Sequence, residues 1–183
     1  MNIIKTDRFI IRNWIEADAE ALVEARKDSS ITKGLGEINN HPYTLAYAIE
    51  HINSSQGENN SNFVITIDNS VAGEIGSVFR NKPSIASTTY WILQEYRIRG
   101  IATEALIKFT EYIFEHHPVQ YMEVNASKWN AASIRVLEKA GYILKGDIGD
   151  SNIDIYHRIN SEYIWKKANN ISHVRKKKSV KIE

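Results

Sequence analysis

Along the start of the chain, Phe9 and Ile11 alternate with Arg8, Ile10 and Arg12, so residues 3–13 are predicted as a first strand. The period lengthens in "EADAEALVEARKD", where Ala17, Ala21, Leu22 and Ala25 fall at helical spacing between an acidic start and a basic end. "SSITKGLGEINNHPY" has neither period and is predicted as loop. "TLAYAIEHINSSQ" places Leu45, Ala48, Ile49 and Ile52 on one helical face. Strands at 62–68 and 71–79 flank Asp68-Asn69-Ser70, a hairpin turn, and "SIASTTYWIL" is β-branched and aromatic enough for a further strand. The second half alternates differently. A helix over about 100–116 leads to the short strand "VQYMEVN", and the helix "NAASIRVLEKAG" ends at Gly141. A strand "YILKGDIG" follows, and "NIDIYHRINSEYIW" reads as one long strand or a hairpin. Such alternation predicts a mixed sheet with crossover helices, of α/β or α+β class.

Composition narrows this picture. The chain has 183 residues, 43% hydrophobic and 25% charged, with net charge +1, and suits one soluble domain without a global field for nucleic acid or membrane. With no cysteine, disulfides, thiolate nucleophiles and thiolate metal sites are excluded, and a reducing cytoplasm fits. No apolar run reaches the roughly 18 residues of a membrane helix, and the N-terminus lacks a signal-peptide core. We expect the folded domain to span 1–167. The stretch 168–183 reads as a basic, flexible tail, and the KK and RKKK clusters of the segment after Trp165 could touch RNA or ribosome. His41, His51, His116, His117, His157 and His173 show no metal-ligand spacing, so no metal is expected.

The chemistry concentrates in "EYRIRGIATEAL", where Arg97 and Arg99 precede a lone glycine and a helix start. Gly100 allows a backbone path that a side chain would block, and Ala102 allows close approach. Unpaired N–H groups and the positive end of the helix dipole favour an anion there. The spacing fits neither a Walker loop nor a dinucleotide fingerprint.

The stretch "YWILQEYRIRGIATEAL" resembles motif A of the GNAT superfamily of N-acetyltransferases, whose Gln/Arg-x-x-Gly-x-Gly/Ala signature is met by Arg97, Gly100 and Ala102. Downstream, "NASKWNAASIRVLEKAGYILKG" resembles motif B. The opening "TDRFIIRNWIEADAEAL" adds likeness to the branch that acetylates ribosomal-protein N-termini, and the resemblance spans roughly residues 5–166 in order. It implies a mixed, twisted, mostly antiparallel sheet of six to seven strands flanked by about four helices. It also implies acetyl-CoA as cosubstrate, with its pyrophosphate on Arg97, Ile98, Arg99, Gly100, Ile101, Ala102 and Thr103. The pantetheine arm would run between the Ile92 strand and the Asn125 strand, meeting Asn130 and Ser133, and the amide of Ile92 or Leu93 would face the thioester carbonyl. Asn130 reads equally as a helix N-cap.

Acetyl transfer to an amine needs a proton acceptor, oxyanion stabilisation and help for the departing thiolate. Without a nucleophile set, direct attack in a ternary complex is expected. The tyrosine that many relatives carry six residues beyond the asparagine is Val136 here. The branch resemblance puts Ser133 near the sulfur instead, and Tyr142 reads as core. Glu74 and Glu123, each in an apolar strand, are the candidate bases. The acceptor pocket is expected from the loop 33–45 and the last strands, with Asp147, Asp150 and Asp154 as a hint of polyamine affinity. A protein N-terminus, polyamine, aminoglycoside or small amine all qualify as acceptor, for a monomer or homodimer. A non-catalytic acyl-CoA-binding module is the competing reading, resting on the absent tyrosine.

Overall fold

A computed structural model of the chain describes residues 2–36, 42–57, 60–80, 84–149 and 152–168. The first predicted strand is a hairpin. Thr6 turns the chain by bonding Phe9 O through both its N–H and its hydroxyl, which separates β1 (Asn2–Lys5) from β2 (Ile10–Asn13). A 3-10 turn at Glu16–Asp18 leads into α1 (Ala19–Ala25). Arg12 grips Asp18 through both guanidinium nitrogens, at 2.7 and 2.8 Å.

The segment expected to be loop contains α2 (Ser29–Gly34), started by Asp28, whose carboxylate accepts from the Ser30 N–H at 2.8 Å. α3 (Leu45–Ser54) buries Ala48 and Ile52 but leaves Leu45 half exposed. β3 (Gln56–Gly57), β4 (Asn60–Ile67) and β5 (Ser70–Arg80) follow, with Asp68 and Asn69 both at positive φ in the two-residue β4–β5 turn. Then come β6 (Ile85–Ile92), α4 (Ile101–His116), β7 (Tyr121–Ser127), α5 (Ala131–Lys139), β8 (Ile143–Asp147) and β9 (Ile153–Ile159). Gly141, at φ +77°, closes α5 as expected. The end of "NIDIYHRINSEYIW" is α6 (Ser161–Ala168), capped by buried Asn160, whose side chain accepts from the Tyr163 N–H. Of the predicted tail, only Ala168 lies within the described residues.

The strands form one sheet in the order β1-β2-β4-β5-β6-β7-β9-β8, with β3 on β4. Among the described residues every pairing is antiparallel except β6–β7. Nine strands and six α-helices among the described residues exceed the expected counts because the hairpin splits the first strand, β3 is only two residues long, and α2 and α6 had no clear period. One face of the sheet packs α4 and α5, with Phe109, Leu106, Ile113 and Leu137 against Phe63, Ile75, Met122 and Val124. The other face carries α1–α3, with Leu22, Ile31, Ala48 and Ile52 against Val64, Val71 and Trp91. The single parallel pairing, bridged by α4, lies where the site forms.

Candidate active site

β6 is paired unequally on its two sides. It matches β5 from Arg80↔Ile85 to Gly73↔Ile92, yet matches β7 only at Ile85, Ala86 and Ser87. Beyond Ser87 the two central strands part. Leu93 donates its N–H to Ala72 O at 2.9 Å, and Gln120 N–H reaches Ser84 O at 2.7 Å. Strand alternation therefore turns the backbone groups of Tyr90 and Ile92 toward the gap and those of Trp91 and Leu93 away from it. The Leu93 amide is thus engaged inside the sheet, leaving Ile92 as the expected donor facing the gap. On the other wall, Lys128 N–H bonds Asn152 O and Asn160 N–H bonds Gln120 O. The same alternation faces the backbone of Asn125 into the gap.

The loop after β6 is shaped for one end of this gap. A 3-10 turn at Gln94–Tyr96 passes to Arg97, then to Ile98 at φ 61° and Gly100 at φ 79°, where α4 begins. A Cβ on Gly100 would meet only Arg8 Nη1, at 3.7 Å, so the left-handed backbone and not crowding demands glycine there. Ile98 adopts the same region with a β-branched side chain fully in solvent, a strained arrangement of the kind found at ligand sites. Within the helix the Glu104 N–H is the first to bond back, to Gly100 O at 3.1 Å, so the amides of Ile101, Ala102 and Thr103 point out of the N-terminus. Arg8 braces this turn by donating to Glu104 at 3.0 Å and to the Arg99 carbonyl. Sequence reasoning passed over Arg8, which lies 91 positions away from Arg99.

The two arginines of the motif behave differently. Arg99 makes no ion pair among the described residues, and its guanidinium lies 5.9 Å from the Tyr96 ring. Arg97 is a clamp. Its Nε donates to Ile92 O at 2.7 Å, Nη1 to Ser30 Oγ at 3.0 Å and Nη2 to Asp28 at 2.7 Å. The Ser30 hydroxyl and amide, and then Arg97, hold the Asp28 carboxyl below its ordinary range against the opposing effect of burial. α2 also reaches the other wall, where Lys33 sits 4.3 Å over the Trp129 ring and Gly34 approaches the Asn130 amide. This short helix, read from sequence as loop, straps the two sides of the gap together.

At the start of α5, Asn130 is a true N-cap, its side chain accepting from the Ser133 N–H at 3.1 Å. Ser133 Oγ lies 3.0 Å from the Tyr90 hydroxyl, whose pKa burial pushes up to about 12 against the lowering effect of that hydrogen bond. Val136 packs against the core. Tyr142 is buried, and its hydroxyl meets Thr110 Oγ1 at 2.8 Å and Met122 Sδ at 3.8 Å, in keeping with its reading as core.

Both candidate carboxylates are paired with histidines. Glu74 bonds His51 Nε2 at 2.6 Å and accepts from Trp91 Nε1 at 3.3 Å. Glu123 bonds His157 Nε2 at 3.2 Å, and that imidazole stacks on Tyr121 with ring centroids 4.3 Å apart. Met122, Val124 and Tyr156 point to the α4–α5 side, so both pairs lie on the opposite face of the sheet. Asp147 and Asp154 share Lys128, at 3.2 and 3.8 Å, while Asp150, His41 and His173 lie outside the described residues. His116 and His117 stack on Tyr112 and Phe79. No cluster of three or more metal-binding side chains occurs among the described residues.

Residues 8–143 match the family described as "Acetyltransferase (GNAT) domain". The chain belongs to the GNAT acetyltransferase family. Its fold is shared by solved structures of low identity. RimL, a ribosomal L7/L12 alpha-N-protein acetyltransferase in complex with coenzyme A, aligns with TM-score 0.77 and 18% identity over 87% of this chain and 98% of its own. Spermidine N-acetyltransferase from Vibrio cholerae, with CoA and spermine, aligns at 0.72 and 16% over 87% and 99%. An aminoglycoside acetyltransferase with coenzyme A aligns at 0.71 and 18% over 87% and 97%. No curated protein sequence matches the chain. In this GNAT domain no described helix is long and apolar enough to cross a membrane. The sequence pattern did not mark Arg8, Asp28, Ser30, His51, Tyr90 or His157 as candidate site residues. Each gains its place from a partner distant in sequence, so no local pattern marks it.

Proposed function

We propose that this GNAT domain transfers acetyl from acetyl-CoA to a primary amine, by direct attack in a ternary complex. The observation that carries the reading is the parting of β6 and β7 beside a left-handed glycine and an open helix start. An extended arm laid in the gap would meet strand-like backbone groups of Ile92 on one wall and Asn125 on the other. Its pyrophosphate would lie against the amides of Gly100, Ile101, Ala102 and Thr103, with Arg99 adding charge. Arg97 holds the loop through α2 in this reading. Acetyl-CoA supplies the activated acyl group; the chain's residues supply position, hydrogen bonds and a proton acceptor.

For the proton acceptor we favour the Glu74–His51 pair. Glu74 stands opposite Trp91, between the gap-facing Tyr90 and Ile92, so it lies one strand spacing of about 4.8 Å from β6. It is buried, while His51 remains partly open, so the carboxylate orients the imidazole and His51 takes the proton. Glu123 stands opposite Ser87, roughly 10 Å further down β6 from Tyr90. Ser133 faces the leaving sulfur. The acceptor enters from the α1–α3 face, and a protein N-terminus or a small amine suits it. A cytoplasmic setting suits a chain without cysteine.

Acetyl-CoA-dependent thiol release, measured separately with N-terminal peptides, spermidine, aminoglycosides and small amines, tests the proposal. Turnover confined to one class supports it and names the acceptor. Tight CoA binding with no turnover across the panel favours the non-catalytic module, the reading that Val136 supports.

A further inference from the structure

A serine hydroxyl beside a departing thiolate helps only if its single proton points at the sulfur. In the first turn of α5 nothing intrinsic to Ser133 enforces that direction, because a hydroxyl rotates freely to suit its neighbours. The neighbour here is Tyr90. Its side chain leaves β6 on the α4–α5 face and packs against the core beside the gap. Its hydroxyl lies 3.0 Å from Ser133 Oγ and 3.4 Å from the Ser133 carbonyl oxygen.

We propose that Tyr90 is a positioning residue for the leaving-group step: its hydroxyl donates to Ser133 Oγ and thereby aims the Ser133 O–H into the gap, at the sulfur. This deepens the acetyltransferase reading and rests on it. The phenol suits the task because burial keeps it protonated at any working pH. It is too weak an acid to surrender its proton readily to a thiolate, since even a cysteine thiol, with an ordinary pKa of about 8.5, is the stronger acid. Neither hydroxyl is consumed. The C–N bond forms as the C–S bond breaks, the electron pair of that bond leaves on sulfur, and the proton lost by the amine balances the charge through His51. Tyr90 and Ser133 contribute hydrogen bonds alone, in the place where the usual tyrosine is Val136.

The test reads the thiol itself and needs no acceptor. CoA bound to the full chain is titrated with base, and thiolate formation is followed by its ultraviolet absorbance for wild type, Tyr90→Phe, Ser133→Ala and the double variant. A hydrogen bond to the thiolate lowers the thiol pKa. The expected result is that Tyr90→Phe and Ser133→Ala each raise the ionisation pH of bound CoA by about one unit, a tenfold change in the equilibrium. The double variant should add nothing to Ser133→Ala, because Tyr90 acts through Ser133. In Tyr90→Phe the affinity for CoA in its protonated thiol form, measured well below the ionisation pH, should stay within about twofold, which a general loss of packing would not allow. A wild-type titration in Tyr90→Phe, or additive shifts in the double variant, overturns the proposal and leaves the Ser133 assignment standing. If neither single variant moves the thiol, both assignments fall. Absence of CoA binding by wild type overturns the acetyltransferase reading with them.

Discussion

The sheet holds two glutamate–histidine pairs on the same face, one on each side of the parting strands, and they are not equivalent. In the first, the Glu74 side chain is 8% exposed and the His51 side chain 23%; in the second, Glu123 and His157 are 18% and 19% exposed. Glu74 has a second partner in the Trp91 indole and is the more enclosed member of its pair, so its carboxylate is held while the imidazole stays partly open. Glu123 and His157 face each other directly across β7 and β9, and the imidazole leans on Tyr121. Two identical side-chain pairs thus receive different tasks. In the proposed mechanism, enclosure and the position along β6 suit the first to act as the base, while the second serves as a cross-strand contact between β7 and β9.

The sharpest way to break this contrast is to remove each pair in turn. His51→Ala should lower kcat by about a hundredfold, the usual scale for a positioned base, and Glu74→Gln should approach it. Steady-state rates on an acceptor found active check both. Arg97→Ala should act next most strongly, since it frees Ile92 O, Ser30 and Asp28 together. We expect the KM for acetyl-CoA to rise about tenfold and stability to fall by about 1–2 kcal/mol, seen in denaturant melts.

The same clamp gives a pH prediction. The Asp28 carboxyl is held below its ordinary 3.8 in the folded chain, so its contribution is complete above that value and is lost as pH falls below about 4. Thermal melts of wild type should therefore drop across that acid range, and Asp28→Asn should show a smaller drop from a lower starting point. The smallest effect belongs to the second pair. Glu123→Gln should leave kcat within about twofold and cost about 0.5 kcal/mol of stability, the scale of a cross-strand contact.

Much of the architecture was legible because it rests on local periodicity. α3, α4 and α5, the β4–β5 hairpin and the glycine-terminated α5 follow from spacing and turn chemistry. What escaped was set by single residues or by tertiary contact. The Thr6–Phe9 turn divides an otherwise continuous apolar alternation, and Asp28 starts a helix too short to show a period. Asn160 converts the end of an apparent strand into α6. At the site, Gly100 and its neighbours were readable because a helix start and a left-handed turn are local. The engagement of Leu93 with Ala72, the capture of Arg97 by α2 and the histidine partners of Glu74 and Glu123 join segments far apart in sequence. Ile98 in the left-handed region, unlike the Asp68-Asn69 turn, has no sequence signature.

Backbone hydrogen exchange with and without CoA tests, residue by residue, whether the gap between β6 and β7 receives the CoA arm. The Leu93 amide, bonded to Ala72, should be protected in both states. The Ile92 amide should exchange readily in the free protein and become protected when CoA is added, together with amides of Gly100–Thr103. Protection of Ile92 before CoA is added, or no change there once CoA has bound, would contradict the account.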